Sequence, residues 1–156
     1  MNARSKPAVA RESALTLTRV FDAPVRLVFQ AWTEGRHLKH WSAPRGFTIP
    51  HSEGEAKPGT AWRCCMRRPD GTDLWLGGVY REVVQDRLLV MTHAWDDEDS
   101  RPGHETVVTV RFEDLGGQTR VTLHQGPFDS TASRDGHLGG WSECLERLSE
   151  LLPTLA

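Results

Sequence analysis

Residues Ser130–Leu152 read STASRDGHLGGWSECLERLSELL, and the fold turns on how that stretch divides. Leu138, Trp141, Leu145, Leu148 and Leu152 recur at steps of three and four, which lines them up on one face of a helix. Cys144 and Leu151 widen the apolar stripe, while Glu143, Glu146, Arg147 and Glu150 fall mostly on the opposite face. Glu143 and Arg147 stand four apart in the favourable order, an expected pair worth about 0.2–0.5 kcal/mol. Pro153, with no N–H and a ring that clashes with the preceding turn, is expected to end the helix. The first half carries Gly136, Gly139 and Gly140, each costing about 1 kcal/mol relative to alanine in a helix interior. Two readings stay open there. Either something approaches the backbone closely, or the glycines pack under a bulky neighbour or fray.

Before that helix the periodicity is mostly two. Leu15–Phe21 (LTLTRVF) alternates and reads as a strand with Leu15, Leu17 and Arg19 on one face. Asp22 and Pro24 then open a helix whose apolar face is Val25, Val28, Phe29 and Trp32. A second short helix, Gly35–His40, ends at Trp41, and Ser42–Gly46 is a turn cluster. Phe47–Ser52 and Thr60–Arg68 are expected strands, the second with Trp62, Cys64 and Met66 on one face and Arg63, Cys65 and Arg67 on the other. Lys57-Pro58-Gly59 is a turn, and Pro69-Asp70-Gly71 is a hairpin turn. Leu74–Val84 returns, with Gly77 and Gly78 marking a bulge or bend. Arg87–Trp95 places Met91, His93 and Trp95 together; the acidic run Asp96–Asp99 with Pro102-Gly103 reads as a loop. Glu105–Glu113 and Thr119–Gln125 form a second hairpin around Leu115-Gly116-Gly117.

One strand, two short helices, about six antiparallel strands and one long helix make an α+β fold without βαβ alternation. A sheet that long twists and curls around the amphipathic helix, and a curved sheet gripping a helix leaves room for a small ligand. The 156 residues, 38% hydrophobic and 26% charged, suit one globular domain. It is expected over residues 14–156, behind a disordered tail at 1–13 that lacks a signal peptide's apolar centre. A net charge of −2 argues against a nucleic-acid partner. No apolar run is long enough for a membrane helix. Three cysteines, two of them adjacent at Cys64 and Cys65, suit reduced thiols in a cytoplasmic protein. Six tryptophans against one tyrosine supply large apolar surface for a core or a pocket.

Three segments carry a family resemblance: Phe21–Pro44 (FDAPVRLVFQAWTEGRHLKHWSAP), the turns Lys57–Gly59 and Arg68–Gly71 with Gly78–Val83 (GVYREV), and His137–Leu148 (HLGGWSECLERL). Together they resemble the SRPBCC, or START-like, superfamily. More narrowly, they resemble its bacterial single-domain branch, similar to the C-terminal domain of the heat-shock ATPase activator (activator of Hsp90 ATPase homologue-like). The resemblance spans about residues 15–152. Gly54–Ala61 (GEAKPGTA) departs from it, without the second glycine and the arginine often found there. The resemblance implies a helix-grip fold of about six or seven strands, with the pocket near the glycine-rich start of the last helix. The superfamily hosts carriers, receptors and cyclases, so it does not by itself choose a function.

With that strand parity, the expected ligand-binding residues are Trp62, Cys64, Met66, Met91, His93, Trp95, Val110, Phe112, Leu123, Gln125, Leu138 and Trp141, and Val108 and Val121 share their face. His93 and Gln125 are the polar handles. A filled core without a ligand is the competing reading. His93 is also the one candidate for acid–base catalysis, with Tyr80 and Glu105 as possible assistants in a cyclase or dehydratase. No CxxC, HExxH or His/carboxylate cluster is present, although His37 and His40 lie three apart, so neither metal nor cofactor is expected. Arg63, Arg67 and Arg68 read as a solvated hairpin face. The leading expectation is a binder of a small hydrophobic molecule without a catalytic step, and the alternative is the enzyme using His93. A chaperone-associated interaction module is the third reading, and Met1–Ser13 is too short to supply the activator's extra docking domain. A homodimer through a sheet edge or outer helix face completes the expected partners.

Overall fold

In the computed structural model, which describes residues 13–156, seven antiparallel strands form one sheet. In chain order the elements are β1 (Leu15–Phe21), α1 (Val25–Thr33), α2 (Gly35–Leu38), β2 (Thr48–Glu53), β3 (Ala61–Arg67), β4 (Asp73–Val84), β5 (Leu88–Asp96), β6 (Pro102–Asp114), β7 (Thr119–Gly126) and α3 (Thr131–Leu155). The spatial order is β1-β7-β6-β5-β4-β3-β2, so β1 and β2 are the edges. This is the expected α+β helix-grip arrangement. The expected tail at 1–13 lies outside the described residues except for Ser13, which is buried and whose carbonyl accepts the Phe128 N–H at 2.7 Å.

The long helix starts where Ser130, in extended backbone, accepts the Ser133 N–H through its hydroxyl at 3.0 Å. Its buried residues are Cys144, Leu145, Leu148 and Leu152. They join Val28, Phe29 and Trp32 of α1 and the inner faces of β1, β7 and β6 in the main core. The helix therefore lies over one half of the sheet, with β1 and α1 as its principal neighbours. The β5-β4-β3 half curls past it.

Several local expectations need correction. Pro153 does not stop α3, which runs on to Leu155. A proline removes one hydrogen bond, and within the last turn few remain to lose. Glu143 and Arg147 do not pair with each other. Glu143 accepts the Arg45 N–H at 3.0 Å, and Arg147 donates to the carbonyls of Ala43 and Pro44 at 2.5 and 3.3 Å. Arg45 in turn reaches Glu150 at 2.5 Å. The expected helical pair is thus spent on fastening the Ser42–Gly46 turn to α3. Pro102 and Gly103 belong to β6 rather than to the acidic loop. The bulge in β4 falls between Tyr80 and Glu82, not at the glycines. Gly77 and Gly78 serve close approach instead: a Cβ at Gly78 would meet the Thr92 carbonyl oxygen at 2.0 Å, and one at Gly77 the Trp62 carbonyl oxygen at 2.7 Å.

Candidate functional site

Between the half of the sheet that curls past α3 and the start of that helix lies a cavity of about 410 Å³. The strands build its wall by alternation. Trp62, Cys64 and Met66 come from β3, Leu74, Leu76 and Tyr80 from β4, and Met91, His93 and Trp95 from β5. The helix contributes Ser133, Gly136, His137, Gly140, Trp141 and Cys144. The rim comes from Trp32, Leu38, Trp41, Ser42, Pro44 and Phe47, held in place by the Arg45 and Arg147 contacts above. Among the described residues, no Asp, Glu, Lys or Arg lines the cavity.

The glycines explain part of the space. A Cβ at Gly136 would meet nothing within 4 Å, and one at Gly140 would make only an ordinary 3.6 Å contact with Pro44. Among the described residues no bulky neighbour packs on them, and both border the cavity.

Five of the six tryptophans line the cavity: Trp32, Trp41, Trp62, Trp95 and Trp141. Trp32 stacks on Trp141 at 5.8 Å and meets Trp41 edge-on at 4.6 Å. Trp41 donates its indole N–H to the Ala31 carbonyl at 3.0 Å, and Trp62 donates to the Thr92 carbonyl at 3.2 Å. Trp141 donates to Gln125 at 2.7 Å.

At the opposite end sits a pair of imidazoles. Trp95 donates its indole N–H to His137 Nε2 at 2.9 Å, and His137 Nδ1 lies 2.7 Å from the Ser133 carbonyl. A nitrogen that accepts from an indole carries no proton, so the ring proton belongs on Nδ1, where it is donated to Ser133. His93 faces this ring at 6.0 Å and lies between Trp62 and Trp95. Burial, reinforced by His137, holds the His93 pKa down at about 4. Behind this wall is a smaller polar hollow of about 240 Å³, bordered by Asp96, Asp97, His104 and Asp129. Burial pushes the thiols of Cys64 and Cys144 up to about 12, which keeps both protonated.

This architecture has known counterparts. The family described as "Activator of Hsp90 ATPase homolog 1-like protein" matches residues 22–153. The chain belongs to this family. Solved structures similar to it include the AHSA1 protein of Silicibacter pomeroyi, 24% identical with a TM-score of 0.85 over 92% of this chain and 99% of that one. A protein from Nitrosomonas europaea is 25% identical, with a TM-score of 0.78 over 92% and 96%. One from Arthrobacter aurescens is 24% identical, with a TM-score of 0.79 over 92% and 88%. These likenesses speak for the fold. No curated protein matches the chain.

In this activator-family fold, seven of the expected binding residues lie together on the cavity wall: Trp62, Cys64, Met66, Met91, His93, Trp95 and Trp141. Val108 joins them. The other five are elsewhere. Val110, Phe112 and Leu123 have the right parity but lie farther along β6 and β7, under α1 and the second half of α3, in the packed core. Leu138 is a partly buried neighbour of that core. Gln125 is fully buried behind Trp141, donating to the Thr106 hydroxyl at 2.9 Å while accepting from the indole. It orients a wall residue instead of offering itself to a ligand. Tyr80 faces the cavity, whereas Glu105 is exposed and lies 3.7 Å from Arg81. Among the described residues, no group of three or more His, Cys, Asp or Glu could hold a metal ion, and no helix is long and apolar enough to cross a membrane. Trp32, Trp41, Phe47 and His137 line the cavity without having been expected there. The tryptophan surplus was the signal for the first two.

Proposed function

We propose that the chain binds a small, uncharged and largely apolar molecule in the cavity between the β3–β5 wall and the start of α3. One observation carries this reading. About 410 Å³ is left unfilled beside five tryptophans, in a molecule whose main core is closely packed. The charge-free lining supports a neutral ligand, because an unpaired ionised group would lose its hydration without compensation. His93, held neutral at ordinary pH, supports a hydrogen-bonding role more than a basic one.

Native mass spectrometry of the freshly purified protein, followed by calorimetric titration with fluorene and dodecanol, tests the reading. Burial of such apolar surface predicts a Kd of about 1–100 μM for at least one probe. No co-purifying mass and no heat or thermal shift with either probe would sink the proposal.

The glycines give a second check. Gly140→Leu fills the cavity from the helix side without a backbone clash, and it replaces a poor helix former with a good one. The melting temperature stays level or rises by a few degrees, while fluorene binding weakens by at least about tenfold. Loss of folding instead would mean that the backbone at Gly140 has no room to spare.

A further inference from the structure

Polar groups on the cavity wall divide into those the protein satisfies and those it does not. The indoles of Trp41, Trp62, Trp95 and Trp141 each donate to a protein acceptor. Ser42 donates to the Leu38 carbonyl at 2.7 Å, and both ring nitrogens of His137 are engaged. Ser52 is exposed and Ser133 half-buried, so solvent can serve them. Tyr80 differs. It is the chain's single tyrosine and is 5% exposed, yet among the described residues its hydroxyl makes no hydrogen bond. Nor is that hydroxyl sealed off. Among the described residues, Trp32 Nε1 is the side-chain atom that lacks both a partner and accessible surface, whereas Tyr80 Oη lacks only the partner. Alternation along β4 turns Leu74, Leu76 and Tyr80 towards the cavity and leaves Trp75, Val79 and Arg81 exposed on the outer face. Tyr80 stands opposite Met91, and Met91 opposite Val108, so the phenol interrupts an apolar row of the wall. His93, which also makes no side-chain hydrogen bond to another residue, lies one row along β5, enclosed by Trp62, Trp95 and His137. Burial raises the Tyr80 pKa, so the phenol keeps its proton at neutral pH and is available as a donor.

Resting on the proposed cavity binding, we infer that Tyr80 reads the ligand's polar group, its hydroxyl donating to a carbonyl or ether oxygen on an otherwise apolar molecule. A plain hydrocarbon seated against Tyr80 shuts the phenol off from water and gives it nothing in return, which costs the unmade hydrogen bond. A ligand with an oxygen at that point restores the bond while the surrounding wall covers its apolar body. The ligand class is therefore a mostly apolar molecule with such an oxygen, and Tyr80 fixes which part of it meets β4.

Fluorene and 9-fluorenone test this directly, because they share one three-ring plane and differ only by a methylene against a carbonyl. Calorimetry on the wild-type protein is expected to favour fluorenone by about 5- to 30-fold, the discrimination that one hydrogen bond to a buried donor confers. Tyr80→Phe keeps the ring, removes the hydroxyl and breaks no hydrogen bond among the described residues, so it should fold as the wild type does and close that gap. On the wild-type protein, a readout that needs no variant to fold, the infrared carbonyl stretch of bound fluorenone should lie below its value in hexane. In Tyr80→Phe it should return to the hexane value. Fluorene bound as tightly as fluorenone overturns the inference and leaves the cavity reading standing. So does a carbonyl stretch at the hexane value in the wild type. A preference that survives in Tyr80→Phe also overturns it, and its loss in His93→Gln instead would assign the oxygen to the imidazole. Binding of neither compound, together with failure of every other cavity probe, overturns the cavity reading itself and the inference with it.

Discussion

Leu145→Asp leaves no cooperatively folded domain. Leu145 is 2% exposed and sits where α3 meets the main core of α1, β1, β7 and β6. Truncation at such a site costs about 2–5 kcal/mol through lost burial and the cavity left behind. Aspartate adds a carboxylate to a core that, among the described residues, holds no cation to pair with it, at a further cost of several kcal/mol or a proton taken up to avoid it. A single domain holds only about 5–15 kcal/mol in total, so the sum reaches the whole stability. The expected record is a flat urea profile by circular dichroism, while Leu145→Ala keeps a sigmoidal one shifted to lower urea. A native-like transition in Leu145→Asp would mean that the second half of α3 is not the anchor that the sheet grips.

That anchor was legible in the sequence because a helical stripe and its partner strands are written as periods of 3.6 and 2, and those periods are local. Alternation along β3 and β5 correctly put Trp62, Cys64, Met66, Met91, His93 and Trp95 on one face. It could not say how far along a strand the covering helix extends. Val110, Phe112 and Leu123 share the face of Val108, yet only Val108 reaches the cavity, because the helix covers the rest. Depth along a strand depends on where α3 crosses the sheet, a long-range property that no window of sequence contains. Trp32 shows the same limit from the other side. Its spacing with Val28 and Phe29 marks a core face, and it is in the core cluster, but it also stands at the boundary where the core stops and the cavity begins. Likewise, Glu143 and Arg147 have ideal spacing for each other and are drawn away by the backbone of residues 43–45, which offered better-placed partners.

Acidification between pH 6.5 and 4 should remove about 3 kcal/mol of stability through His93 alone. The imidazole is buried, and the neighbouring His137 adds to the burial effect, so its pKa falls from the ordinary 6.5 to about 4 in the folded protein. The unfolded chain therefore takes up a proton in this window that the folded chain refuses. The sign follows from that difference. The contribution is fully present above about pH 6.5, declines as pH falls, and levels off near pH 4, where the folded ring is protonated as well. At pH 5 the expected loss is about 2 kcal/mol relative to pH 8. His93→Gln cannot take up this proton, so its urea midpoint should change less across the same range, and the stability gap between the two proteins should shift by that amount in favour of the variant. The carboxylates paired with arginine, Asp73, Asp96 and Glu150, have lowered pKa values and titrate in both proteins, so they cancel in the difference. A gap that stays constant from pH 8 to pH 4.5 would show that His93 is hydrated in the folded state. The same protonation places a charge in a wall that otherwise holds none, beside Trp62 and Trp95. An apolar ligand seated there raises the cost of that charge, so fluorene binding should weaken as the pH falls through this window in the wild type and should hold level in His93→Gln.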